Sequence, residues 1–125
     1  MISLQKVLLI DDEAHIRKYL SLVVRALGNP AVIEADNSEA GLAAYQAERP
    51  DLVLLDVNMP GSDGIVTLRG ILAADPEANV VMVTSLANRQ TIEQAIEAGA
   101  LGYIRKDTER QEILSLLTSY LQPEA

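Results

Sequence analysis

Cysteine, tryptophan and phenylalanine are absent from this 125-residue sequence, and four tyrosines make up the whole 3% aromatic share. Without cysteine there is no disulfide framework, no thiolate metal centre and no cysteine nucleophile, and redox chemistry leaves the compartment undetermined. No apolar run reaches membrane-spanning length, and Met1-Ile2-Ser3-Leu4-Gln5-Lys6 has neither the charged leader nor the apolar stretch of a signal peptide. The expectation is a cytoplasmic protein with no membrane contact. Positive charge is scarce as well: 10 Lys and Arg stand against 18 Asp and Glu, for a net charge of -8. Binding to a phosphate backbone draws on clustered Lys and Arg, so direct nucleic-acid binding is not expected.

What the sequence does have is apolar content, 49% hydrophobic against 22% charged, enough to offset the entropy of ordering the chain. At this length one core suffices, and with no linker or low-complexity tract a single domain over residues 1–125 is expected. Val7-Leu8-Leu9-Ile10, Leu52-Val53-Leu54-Leu55 and Val80-Val81-Met82-Val83 are apolar without alternation, as parallel strands covered on both faces must be. Val32-Ile33-Glu34-Ala35 and Gly102-Tyr103-Ile104-Arg105 mix in charge, which suits edge strands.

Helical patterns fill the intervals. Ile16, Leu20, Val23, Val24 and Leu27 form one stripe ending at Gly28, a residue suited to a left-handed helix terminus. Further helices are predicted from Ser38 to about Glu48, Gly64 to about Ala74, Asn88 to Ala98, and Thr108 to Leu121, where Thr108 and Gln111 match a capping box. Gln122-Pro123-Glu124-Ala125 reads as a frayed end. Five strand-helix repeats with short connections predict a doubly wound α/β fold: a parallel sheet with right-handed crossovers and helices on both faces.

In such sheets ligands bind beyond the carboxyl ends of the strands. The first strand ends in Asp11-Asp12, the third in Asp56, the fourth in Thr84-Ser85 and the fifth in Arg105-Lys106-Asp107. Taken singly, each has an ordinary role: Asp12 or Glu13 favouring the start of the first helix, Thr84 as a loop hydroxyl. Together they are harder to explain, because like charges about 4 Å apart repel by about 4 kcal/mol even at an effective dielectric of ~20. An oxygen-only cluster suits a hard divalent cation, and Mg²⁺, which binds few carboxylates and keeps several waters, fits better than a Ca²⁺ cage.

Along nearly its whole length the sequence resembles the response-regulator receiver family, through Asp11-Asp12, Leu54-Leu55-Asp56-Val57-Asn58-Met59-Pro60-Gly61-Ser62-Asp63-Gly64, Val83-Thr84-Ser85 and Gly102-Tyr103-Ile104-Arg105-Lys106. The resemblance implies a flavodoxin-like sheet of strand order 2-1-3-4-5 and a two-component signalling role: Mg²⁺-dependent transfer of a phosphoryl group from a histidine kinase or phosphotransfer protein onto Asp56. It implies Asp11, Asp12, Asp56 and the carbonyl of Asn58 around the metal, Thr84 and Lys106 on the phosphoryl group, and Tyr103 as the aromatic whose rotamer reports activation. Output would pass to an attached domain or downstream protein through the face made by helix four, strand five and helix five. Such a receiver catalyses only its own phosphorylation and dephosphorylation.

Asp107 departs from the pattern, since many receivers have a cis proline after the lysine. A cis bond without proline costs about 3 kcal/mol, which weakens that expectation here. Ser85 leaves the phosphoryl group accessible, while Asn58 and Leu86 flank the approach of a hydrolytic water. Met59-Pro60-Gly61 shapes the turn carrying the Asn58 carbonyl. His15 reads as an exposed surface histidine, and Tyr19, Tyr45 and Tyr120 as packing residues. Two alternatives stand beside the receiver. One is a haloacid-dehalogenase-type Mg²⁺-dependent phosphatase, whose motif needs a second Asp where this chain has Asn58. The other is a binding module of the same fold that works unphosphorylated. Neither G-x-G-x-x-G nor G-x-x-x-x-G-K-[ST] occurs, which argues against a nucleotide-binding domain.

Overall fold

The computed structural model describes residues 4–59, 61–85 and 89–121. Strands β1 (Lys6–Ile10), β2 (Ala31–Ala35), β3 (Leu52–Asp56), β4 (Val80–Thr84) and β5 (Gly102–Arg105) alternate with helices α1 (Ala14–Val24), α2 (Ser38–Glu48), α3 (Gly64–Ala74), α4 (Arg89–Ala98) and α5 (Arg110–Leu121). All pairings in the main sheet are parallel, in the order β2-β1-β3-β4-β5, so the two charge-bearing strands are the edges. The 2-1-3-4-5 order is the predicted one. A two-residue antiparallel ladder, Asn58–Met59 against Ser62–Asp63, follows β3.

Because successive side chains on a strand point to opposite faces, the unbroken apolar runs split between two cores. Leu8, Ile10, Val53, Leu55, Val80 and Met82 pack with Tyr45, Leu68, Ile71 and Ala95 beneath α2, α3 and α4. Val7, Leu9, Leu52, Leu54, Val81, Val83 and Ile104 pack with Leu20, Val23, Val24, Ile113 and Leu117 beneath α1 and α5. Burying each of these larger side chains is worth about 1.5–3 kcal/mol. The central strands are buried throughout from Val7 to Ile10, Leu52 to Asp56 and Val80 to Thr84.

The helix ends follow local chemistry. The α1 stripe buries Leu20, Val23 and Val24, tightens into a 3₁₀ turn over Arg25–Leu27 and stops at Gly28 with φ 100°, a conformation that costs glycine little. Asn37 caps α2 by accepting from the Ala40 N–H at 2.8 Å, and Asp63 caps α3 by accepting from the Ile65 N–H at 2.8 Å. The capping box predicted at Thr108 is displaced: α5 begins at Arg110, and its first carbonyl is that of Glu109, which accepts from the Ile113 N–H at 3.0 Å. Thr108 lies one residue too early, with its own carbonyl accepting from the Tyr19 hydroxyl at 3.2 Å.

No cis peptide occurs among the described residues, so the Lys106–Asp107 bond is trans. No described helix is long and apolar enough to cross a membrane. The readings made for the leader at Met1-Ile2-Ser3, for Pro60, Leu86 and the Asn88 helix start, and for the Gln122–Ala125 tail fall outside the described residues.

Candidate functional site

The sheet delivers the carboxyl ends of four strands to one rim. Asp11 leaves β1 with its N–H donated to the Ala35 carbonyl at 3.0 Å, and its carboxylate is 2% exposed. Its Oδ1 accepts from the Glu13 N–H at 2.8 Å, a side-chain turn that starts α1. Asp56 closes β3 at 2% exposure, and its Oδ1 accepts from the Asn58 N–H at 3.1 Å. Asp12 is exposed on the outer side. One oxygen from each of Asp11, Asp12 and Asp56 lies within 4.8 Å of the others. Thr84 closes β4, buried, and its carbonyl accepts from the Lys106 N–H at 2.8 Å.

Lys106 reaches into this group from the end of β5. Its Nζ lies 3.0 Å from Asp11 Oδ2, 3.3 Å from Asp56 Oδ2 and 2.7 Å from Glu13 Oε1. Only the last is a well-directed hydrogen bond. The Oδ2 atoms of Asp11 and Asp56 are buried without a hydrogen-bond partner among the described residues. Two carboxylates this close repel by at least about 3 kcal/mol at an effective dielectric of roughly 20, and a single shared ammonium leaves the cluster net negative. Burial, reinforced by the Asp11 charge, pushes Asp56 up to about 7, against the opposing pull of the Asn58 N–H and Lys106. Burial works against the charge on Lys106, yet its hydrogen bond to Glu13, its close approach to Asp11 and the Asp56 charge together hold it well above the ordinary lysine range. The hydrogen bond and charge of Lys106 draw Glu13 below its ordinary value.

The donor set passes the test for a hard divalent cation. Three carboxylates converge, two of them buried with an unsatisfied oxygen each, and among the described residues no histidine or cysteine joins them.

The fold thus brings Asp11, Asp12, Asp56 and Lys106 together, with Thr84 on the adjoining strand end. Asn58 presents its N–H to Asp56, while its side chain is exposed. Tyr103 is half-buried outside this group, packed against the core under α4. The side chain of His15 is 76% exposed, in keeping with a surface histidine. Sequence reasoning missed two residues. Glu13 was weighed only as an acid favouring the α1 start, but it makes no side-chain cap and instead binds Lys106. Arg17, one turn into α1, donates to the Asp11 carbonyl at 2.6 Å and pairs with Glu34 at 2.7 Å.

The profile of the response regulator receiver domain matches residues 7–118. The chain belongs to this family. The chemotaxis protein CheY of Bacillus subtilis is 30% identical over 93% of this chain and 97% of its own length. The DNA-binding response regulator MtrA of Mycolicibacterium paratuberculosis is 34% identical over 94% of this chain but 52% of its own. A chain of the CheX-CheY-BeF3-Mg²⁺ complex from Borrelia burgdorferi superposes with a TM-score of 0.89 at 28% identity, covering 95% of this chain and 90% of that one. The receiver is a signalling module of two-component systems, which removes the phosphatase alternative, and its acidic pocket is of the kind that holds Mg²⁺.

Proposed function

We propose that residues 1–125 form one receiver domain, acting in the cytoplasm, in which Asp56 takes a phosphoryl group from a histidine kinase or phosphotransfer protein. The observation that carries this reading is the pair of buried, unsatisfied Oδ2 atoms on Asp11 and Asp56 facing one ammonium. Asp56 Oδ2 is the nucleophilic oxygen, since Oδ1 is engaged by the Asn58 N–H. It attacks phosphorus, the P–N bond of the donor phosphohistidine breaks as the P–O bond forms, and the imidazole leaves with its electron pair.

Asp11, Asp12, Asp56 and the Asn58 carbonyl would hold Mg²⁺, which when bound neutralises the carboxylates and the phosphoryl oxygens. Phosphoryl transfer has a loose transition state with charge on its equatorial oxygens, so alignment and positive charge supply most of the catalysis. Lys106 supplies one such charge and the Thr84 hydroxyl a donor. The added phosphoryl charge draws Thr84 and Lys106 inward, Tyr103 changes rotamer, and the surface of α4, β5 and α5 changes its affinity for an output domain or downstream protein. No nucleic acid binds this domain directly.

The test is labelling with acetyl phosphate and Mg²⁺. The parent protein takes up one phosphoryl group and Asp56→Asn takes up none. Label persisting in the variant overturns the assignment of Asp56, and a parent that takes up no label while still binding its partner favours the phosphorylation-independent module.

A further inference from the structure

We propose that Arg17 is the positioning residue of the cation site, acting through the backbone of Asp11. The proposal rests on the reading of the acidic pocket as a Mg²⁺ site. Arg17 is 16% exposed, and its guanidinium joins two strands: Nη1 donates to the Asp11 carbonyl at 2.6 Å and Nε to Glu34 Oε1 on β2 at 2.7 Å. Strand pairing already fixes the other side of Asp11, through its N–H to the Ala35 carbonyl. The Ile10–Asp11 peptide is thus held through its N–H and the Asp11–Asp12 peptide through its C=O, so both planes flanking the Asp11 Cα are fixed, the second of them by Arg17.

That second plane decides where both carboxylates point. Asp11 is left with Oδ1 on the Glu13 N–H and Oδ2 facing the Lys106 ammonium that Asp56 also approaches, and Asp12 is set on the outer side of the same cluster. Glu34 orients the fork of Arg17 in turn, as outer partners of metal ligands commonly do. Among the described residues Arg17 makes no hydrogen bond or ion pair with a carboxylate of the pocket, so its effect passes through geometry.

Positioning and simple electrostatics predict opposite signs. Arg17 is a cation beside an acidic pocket, so removing its charge alone should tighten Mg²⁺ binding. If it holds the Asp11–Asp12 peptide, removing it weakens binding, by about tenfold on the scale of outer-sphere partners.

The experiment measures Mg²⁺ dissociation constants by titration calorimetry on the folded chain, alongside acetyl phosphate labelling at rising Mg²⁺. Arg17→Met is expected to raise the dissociation constant about tenfold. The double variant Arg17→Met with Glu34→Gln, which keeps the net charge, is expected to do the same. Arg17→Lys keeps the charge, cannot span both partners, and should lose about threefold; it serves if Arg17→Met does not fold. At saturating Mg²⁺ the labelling rate of each folded variant should return to within about twofold of the parent. An unchanged or lowered dissociation constant in Arg17→Met or Arg17→Lys overturns the proposal while leaving the receiver reading intact. A parent that binds no Mg²⁺ overturns both.

Discussion

Replacing Asp56 with Asn should make the metal-free protein more stable at pH 8, although it removes an ion-pair partner of Lys106. The carboxylate titrates at about 7 rather than 3.8, chiefly because of burial and the neighbouring Asp11 charge. An acid raised in this way favours the folded state while neutral, and that advantage is lost as pH climbs from about 4 towards 7. Holding Asp56 ionised above pH 7 therefore costs at most about 4 kcal/mol. Asn keeps the shape and the acceptor for the Asn58 N–H, and its amide can donate to the orphaned Asp11 Oδ2. Loss of the Lys106 attraction and imperfect pairing of a buried amide take back about 1–3 kcal/mol. A net gain of about 1–3 kcal/mol remains, or a rise in Tm of about 3–10 °C for a domain of this size.

The assay is urea or thermal unfolding in EDTA at pH 5, 6, 7 and 8. The gap between variant and parent should be small at pH 5, where folded Asp56 is protonated, and widest at pH 8. A gap that does not change with pH, or a variant less stable than the parent at pH 8, would refute the reasoning. Added Mg²⁺ should then narrow the gap by stabilising the parent more.

Lys106→Met leaves the Asp11 and Asp56 carboxylates facing each other without an ammonium and should cost the metal-free protein about 2–4 kcal/mol, largely recovered on adding Mg²⁺, as thermal melts with and without the ion would show. Lys106→Ala should still take up phosphoryl label yet lose the change in partner affinity on phosphorylation, read by a pull-down or titration against the partner. Gly102→Ala drives a methyl into the Tyr120 ring and should destabilise the fold by about 1–3 kcal/mol, with Tyr120→Leu in the same chain relieving part of the loss in denaturant titrations. Tyr45→Phe removes the 2.7 Å bond to Asp75 beneath the sheet and should cost about 1 kcal/mol, measured by the same titrations, without altering Mg²⁺ affinity.

The fold was legible because strand burial leaves a direct trace. Three uninterrupted apolar runs announced the central strands, and charge in Val32–Ala35 and Gly102–Arg105 marked the edges. The acidic site was legible because Asp11, Asp12, Asp56 and Lys106 each follow the end of a strand, where a parallel sheet gathers them. What stayed hidden depends on partners far away in sequence. The start of α5 slipped by one to two residues because Thr108 has only a local signal, whereas its carbonyl is engaged by Tyr19 from α1. Glu13 looked like a helix-start acid because spacing cannot show that an ammonium 93 residues later takes its carboxylate. The bridge from Arg17 to the Asp11 carbonyl was invisible for a similar reason: only the register Leu9↔Glu34 places an anion where it orients the guanidinium.

The seating of Tyr120 has a mechanical consequence. Its ring fills the space above Gly102 and its hydroxyl donates to the Tyr103 carbonyl at 3.1 Å, so the last turn of α5 is riveted to the main chain of the edge strand. The Tyr103 side chain leaves that strand on the opposite side, among the residues under α4. β5 is therefore a partition: any swing of the Tyr103 ring would bear on one flanking helix, while the other is anchored to the backbone about which the ring would turn.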